Sequence, residues 1–461
     1  MLDVVGNLPG LSISQISLAI GVGNLLKAGL NVVAVGPMLD RYGMQTCACV
    51  TMAAAATLVA LLATTTTSTS FCAVLVLLVS LTSFAEQPCF ICLNATHFRV
   101  LVSFASSAVA SAFSIAGALL PLLLAPLLAS AGWRAALWAL GAGCVALLPI
   151  MMLFLRPGTL AVGSSIRHLP AKADDTQDPG KGAIAASATS SSSTTTAETA
   201  SAATTDVAEG VSAAVAFRGS AFWALWSAML LHLTYGSFLS GQLTTALRIG
   251  SHLDVVQASL ALLTPYFGPS PLLTPSLELG AVQAARVNAV QFGCAIAGKL
   301  CSGTLLAMPH SVQPLARAIL FVLAPLAYCG SHLLLVDVDL VRLGAGDVSG
   351  GLRFARAMSR LLAYAVVVGL PFGLIFGTLT CLPARLFGRK DLPKIQSATY
   401  SAILLSAAST GALVGYLRDL FQGYEVPLLL TAASSFVQIG LLLFLMRADV
   451  RACARANYES L

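Results

Sequence analysis

Long apolar runs broken by short polar turns make up most of the chain. A helix needs about 20 apolar residues to cross a bilayer. Runs of that kind fall at roughly 14–38, 45–64, 70–93, 101–128, 132–155, 220–243, 284–308, 316–337, 358–382, 394–416 and 425–446. Residues 157–216 differ in kind. They include Ser187-Ala188-Thr189 and long Ser, Thr and Ala runs. Such a stretch is too polar to insert and too simple to build a core, so it reads as a disordered linker. The pattern divides the chain into an N-terminal bundle of five spans (1–156), a linker (157–216) and a C-terminal bundle of six spans (217–461).

Composition turns this pattern into a class. Of 461 residues, 57% are apolar and only 10% charged, with a mean hydropathy of +0.86. A soluble core of that apolarity would leave too little polar surface. The chain is therefore expected to be an all-α polytopic membrane protein with the lipid bilayer as its surroundings. A net charge of +6 is small and does not suggest nucleic acid. The cysteines lie mostly inside apolar runs and read as packing residues. Cys89 and Cys92 form a CxxC with no second pair, so a metal or redox site is not indicated. No cofactor motif, P-loop or catalytic triad points to ATP use or to an enzyme.

The turn Gly36-Pro37-Met38-Leu39-Asp40-Arg41-Tyr42-Gly43 separates the first two spans. Its glycines allow close backbone packing. Asp40 is expected where the next helix begins, its carboxylate opposing the positive helix end. Arg41, on a short loop, is expected in the cytosol by the positive-inside rule. The pattern G-x-x-x-D-R-x-G resembles the signature between the second and third helices of major facilitator superfamily transporters. That resemblance implies a two-bundle fold with a central cytosolic linker and rocking, alternating access. Here the turn follows the first span, so the count is twelve minus one. The chain is expected to begin in the loop after the family's first helix, through either a truncated gene model or a real eleven-helix variant.

With the turn cytosolic, the linker and C-terminus are cytosolic too. Lys and Arg are in excess on that side, as the rule requires. Asn94-Ala95-Thr96 faces the same side and is expected to stay unglycosylated. The resemblance adds Arg99, after the third span, as a gate partner for Asp40. The expected gating set is Gly36, Asp40, Arg41, Gly43 and Arg99. Gly132-Trp133-Arg134 matches the opening of the family's sixth helix, with Trp133 read as an interfacial anchor. Phe98-Arg99 through Ser106-Ser107-Ala108, and Leu382-Pro383-Ala384-Arg385-Leu386-Phe387-Gly388-Arg389, resemble the eukaryotic L-type large-neutral-amino-acid carriers and related protozoan transporters. Gly298-Lys299-Leu300-Cys301-Ser302-Gly303 stands where a second Asp-Arg turn would repeat, without the acid.

Polar groups inside a membrane are costly and face the bundle interior. Asn24, Lys27 and Asn31 lie at i, i+3 and i+7 in the first span, on one helical face. Glu86 and Gln87 lie in the third span. Lys27 and Glu86 would together match the carboxylate and amine of an amino acid, or would pair structurally. His232 and Tyr235 in the sixth span, Asn288 and Gln291 in the seventh, and Gln396 and Tyr400 in the tenth complete the candidate substrate-binding set. His232 reads either as a proton site or as a hydrogen-bonded packing residue. The expected function is secondary transport of a small polar solute, with amino acids first and monocarboxylates or another metabolite next. A non-transporting sensor or scaffold of the same fold is the other class. The plasma membrane is the expected location, and the residues specify no coupling ion.

Overall fold

The computed structural model describes residues 11, 13–82, 102–155, 210–246, 281–309, 311–336, 351–388, 390–421 and 425–459. Every described element is a helix. Helix α1 (Ile13–Leu30) runs through a π-helical turn (Asn31–Val35) into α2 (Gly36–Tyr42). Then come α3 (Met44–Thr64), α4 (Ser68–Leu81) and α5 (Val102–Phe154). After residues 156–209 follow α6 (Ala213–Arg218), α7 (Ser220–Ala246) and α8 (Ala281–Leu306). A second π-helical turn (Ile319–Leu323) joins α9 (Gln313–Ala318) to α10 (Ala324–Val336). Last are α11 (Gly351–Phe387), α12 (Leu392–Phe421) and α13 (Glu425–Glu459). Among the described residues, eight helices are long and apolar enough to cross a membrane. Large apolar side chains such as Leu18, Val33 and Leu123 are exposed on the outside. An all-helical chain with an apolar exterior is a polytopic membrane protein, because only helices and closed barrels satisfy their backbone groups in lipid.

Helix ends follow local chemistry. Gly43, at φ +79°, separates α2 from α3, and only glycine adopts that region at no steric cost. Asp40 therefore lies in the last turn of α2 and not at the start of the next helix, because the chain keeps helical geometry until Gly43. Gly132, at φ +78°, breaks α5 into two limbs. Thr67 caps α4, its hydroxyl accepting from the Ser70 amide at 3.3 Å. Several mid-helix hydroxyls are satisfied within their own helices, as Thr51 to Cys47 O at 2.7 Å and Thr399 to Ile395 O at 2.9 Å.

One correction concerns packing. Trp133 is a core residue, 5% exposed, with its ring 6.0 Å edge-on from Phe71. The Gly132 break turns it inward instead of leaving it at a membrane surface. Residues 298–303 form helix, as the predicted span 284–308 implies. They lie inside α8, which continues to Leu306.

Close contacts gather several helix ends at one end of the molecule. Gln45 Nε2 donates to Met152 O at 2.6 Å. A Cβ on Gly36 would lie 3.1 Å from Lys394 Cγ. Arg385 Nη1 donates to Leu306 O at 2.9 Å. The chain returning from residue 209 docks there too: Val211 N donates to Phe387 O, and Ala213 N to Asp391 Oδ2, both at 2.9 Å.

Two seams join the helices before residue 156 to those after residue 209. At the first, α1 and its π turn pack against α12. At the second, the first limb of α5 packs against α8, with α11 behind. Glycines set the closeness. Gly303 sits where a Cβ would be 2.8 Å from Ser107 Cβ. Gly369, Gly373 and Gly377, one helical turn apart, let α11 lie directly on the α8 backbone at Gln291, Ala295 and Lys299.

Candidate functional site

The helices of the first seam, α1 with its π turn and α12, carry five of the polar residues singled out in the sequence. Asn24, Lys27 and Asn31 share the buried face of α1 and are 0%, 0% and 1% exposed. Gly23 brings α4 close, since its Cβ would be 2.8 Å from Val79 Cβ. Lys27 Nζ donates to Thr82 Oγ1, at the end of α4, at 3.2 Å. Ser80 Oγ, in the last turn of that helix, donates to Val76 O at 2.7 Å and lies 3.3 Å from Gly23 O.

Across the seam, α12 runs antiparallel to α1. Gly36 approaches Lys394, and Gly21 approaches Ala408 O. Gln396, Ser397 and Tyr400 are buried on α12. Both side-chain amide atoms of Asn31 and both of Gln396 are buried without a hydrogen-bond partner, as are the Ser397 and Ser406 hydroxyls. A buried amide left unpaired costs about 1–3 kcal/mol per polar group. The two amides lie on the π turn and on α12, elements that pack against each other. The π-helical turn begins at Asn31 itself, and such turns recur at functional sites because they re-aim a side chain.

The other candidates lie elsewhere. His232 is buried on α7, its ring stacked on Phe372 at 4.7 Å and 5.5 Å from the Tyr328 ring. It belongs to an aromatic cluster inside the second group of helices. Gln291 is buried on α8, where Gly369 packs against its backbone oxygen. Tyr235 and Asn288 fall in α7 and α8, and their side chains are outside the described set, as is that of Asp40. Glu86, Gln87 and Arg99 are outside the described residues altogether. Of the expected gating set, Gly36 makes the close approach to α12 and Gly43 ends α2. Arg41 is exposed, its guanidinium 5.4 Å over the Tyr42 ring.

Two groups of functional character were not singled out from the sequence. Asp449, fully buried on α13, accepts from Arg385 Nε at 2.7 Å and from Arg317 Nε at 3.0 Å. This ties α11, α9 and α13 together at the end where Gly36 meets Lys394. Lys299, on α8, is also fully buried. Like Lys27, it lies within a predicted span, 284–308, where the sequence pattern shows only that a second Asp-Arg turn lacks its acid.

No protein-family model matches the chain, and no curated protein matches it. Among solved structures, the E. coli fucose:proton symporter FucP resembles it with a TM-score of 0.48 and 13% identity, over 94% of this chain and 97% of that one. No group of three or more metal-ligating side chains occurs among the described residues.

Proposed function

We propose that this protein is a secondary transporter of small polar solutes. The helices before residue 156 rock against those after residue 209, exposing a site between them to one side at a time. The observation that carries this reading is two buried amides unpartnered among the described residues, Asn31 on the π-helical turn and Gln396 on α12, in elements that pack against each other. Lys27, one turn from Asn31, supplies a cation for a carboxylate. Amino acids are the first solutes to test, with Glu86 as partner for the amine. The proposed gate is the Asp40–Arg41 turn with Arg99. The end carrying Arg41, Arg385 and Lys394 is proposed to face the cytosol of a plasma-membrane protein, in keeping with its basic residues.

Uptake of a labelled amino-acid mixture into proteoliposomes tests the reading, with unlabelled competitors naming the substrate. Asn31→Leu and Gln396→Leu should each abolish uptake while the protein stays folded, since leucine removes the unpaired polar atoms without emptying the space. Uptake that both variants support at the wild-type rate would remove the site from the α1–α12 seam.

A further inference from the structure

The second seam carries a charge that the site just described does not use. Lys299 projects from α8 toward α5. Its Nζ donates to Ser114 Oγ at 2.7 Å and to Ala110 O at 2.9 Å, both on the first limb of α5. The remaining face of the ammonium lies 4.4 Å from the Phe376 ring centroid and 5.3 Å from that of Phe113. An ammonium has three donors, so two of them go to neutral oxygens and the rest of the charge rests on aromatic faces. None of these groups carries a negative charge. Asp449 is the one buried carboxylate among the described residues, and two arginines already hold it.

Neutral acceptors and ring faces compensate a buried cation poorly, and a charged acceptor hydrogen-bonds about twice as strongly. The surroundings are also those of a joint. Below Lys299, toward the Arg385 end, Ser107 Oγ meets Ser302 Oγ at 3.3 Å, and Cys381 Sγ donates to Ser103 O at 3.2 Å. On the other side of Lys299 the seam is filled by the Phe292 ring, edge-on to Phe113 at 6.3 Å and against Gly117. A switch of partner at Lys299 releases the strongest tie across the seam.

We propose that Lys299 is an anion-binding residue and that the transported solute carries a carboxylate. On binding, the carboxylate replaces Ala110 O and Ser114 Oγ as the acceptor, and the α5–α8 seam loses its charged tie. Binding and opening are then coupled, because the anion prefers the state in which Lys299 has left α5. This rests on the transport reading and places the solute's carboxylate on Lys299 where that reading offers Lys27.

The test uses the full chain in proteoliposomes with labelled lactate, succinate, glutamate and leucine, against uncharged glucose and glycerol. Wild type should take up at least one carboxylate-bearing probe and neither uncharged one. Lys299→Gln should lower that uptake by about tenfold or more, and Lys299→Arg should keep it within about threefold. Lys299→Met should melt at or above the wild-type temperature, since an apolar side chain replaces a cation without a charged partner. Carboxylate uptake that Lys299→Gln leaves unchanged overturns the proposal and leaves the transport reading standing. Wild-type uptake of glucose or glycerol does the same. A Lys299→Met protein that melts well below wild type overturns it too, by making Lys299 a structural strut. Folded wild type that moves none of the probes counts against both readings.

Discussion

Replacing Asp449 with alanine should destabilise the protein by several kcal/mol without touching either seam. The carboxylate accepts three charged hydrogen bonds: Arg385 Nε at 2.7 Å, Arg385 Nη2 at 3.2 Å and Arg317 Nε at 3.0 Å. Its own side chain is fully buried, and those of Arg317 and Arg385 are only 13% and 18% exposed. Removing it strands two guanidinium groups in a mostly apolar site. Breaking one buried pair costs about 3–5 kcal/mol, and with two arginines sharing the acid the upper part of that range applies. Unfolding titrated with SDS in mixed micelles measures the difference. A triple variant, Asp449→Leu with Arg317→Met and Arg385→Met, should recover most of the loss, because an apolar replacement of the whole cluster leaves no buried charge. Full recovery is not expected, since Arg385 also caps the end of α8 at Leu306 O. Asp449→Ala within about 1 kcal/mol of wild type would show that the cluster behaves as a surface ion pair, and the reasoning would fail.

Asp391 should govern the docking of the chain that returns from residue 209. The Ala213 amide holds its carboxyl below the usual carboxylate range, with burial opposing and Lys394 assisting. A depressed folded pKa stabilises fully above the unfolded value of about 4 and is lost as pH falls through the folded value. Hydrogen exchange at residues 211–218 should therefore be unchanged from about pH 7 to pH 5 after correction for intrinsic rates, then rise in acid. Asp391→Ala should cost about 1 kcal/mol of local protection, as for a lost helix cap. Gly303→Val should push α8 off α5, because even a Cβ would meet Phe104 Cα at 2.9 Å. A loss of about 1–3 kcal/mol is expected in the same SDS titration, and an unchanged midpoint would mean that the seam yields freely.

The course of the helices was legible because a membrane forces it: the apolar runs are helical wherever their residues are described, and Asn24, Lys27 and Asn31 are buried as the spacing implied. What the sequence hid was partnership between distant segments. Gln396 lies on α12, which packs against the π turn that begins at Asn31, yet nothing local to either residue says so. Asp449 lies beyond the predicted span 425–446, and its arginines read as ordinary loop charges until α9, α11 and α13 converged. Trp133 looked like an anchor because tryptophans favour interfaces, but the break at Gly132 turned it onto Phe71. Asp40 was misplaced by a few residues, since a positive-φ glycine, and not the acid, ends the helix. Lys299 was overlooked for a different reason: a family pattern was expected at that position, and its missing acid drew attention from the lysine.

The most direct test of rocking bundles is a reversible lock across the first seam. A Cβ on Gly36 would lie 3.7 Å from Lys394 Cβ, within the range that a disulfide spans. Gly36→Cys with Lys394→Cys, in a background with its native cysteines replaced and uptake retained, should cross-link on oxidation. Rocking predicts that the oxidised protein moves no solute and that reduction restores uptake, while each single cysteine transports throughout. Full uptake by the cross-linked protein would contradict alternating access at this seam.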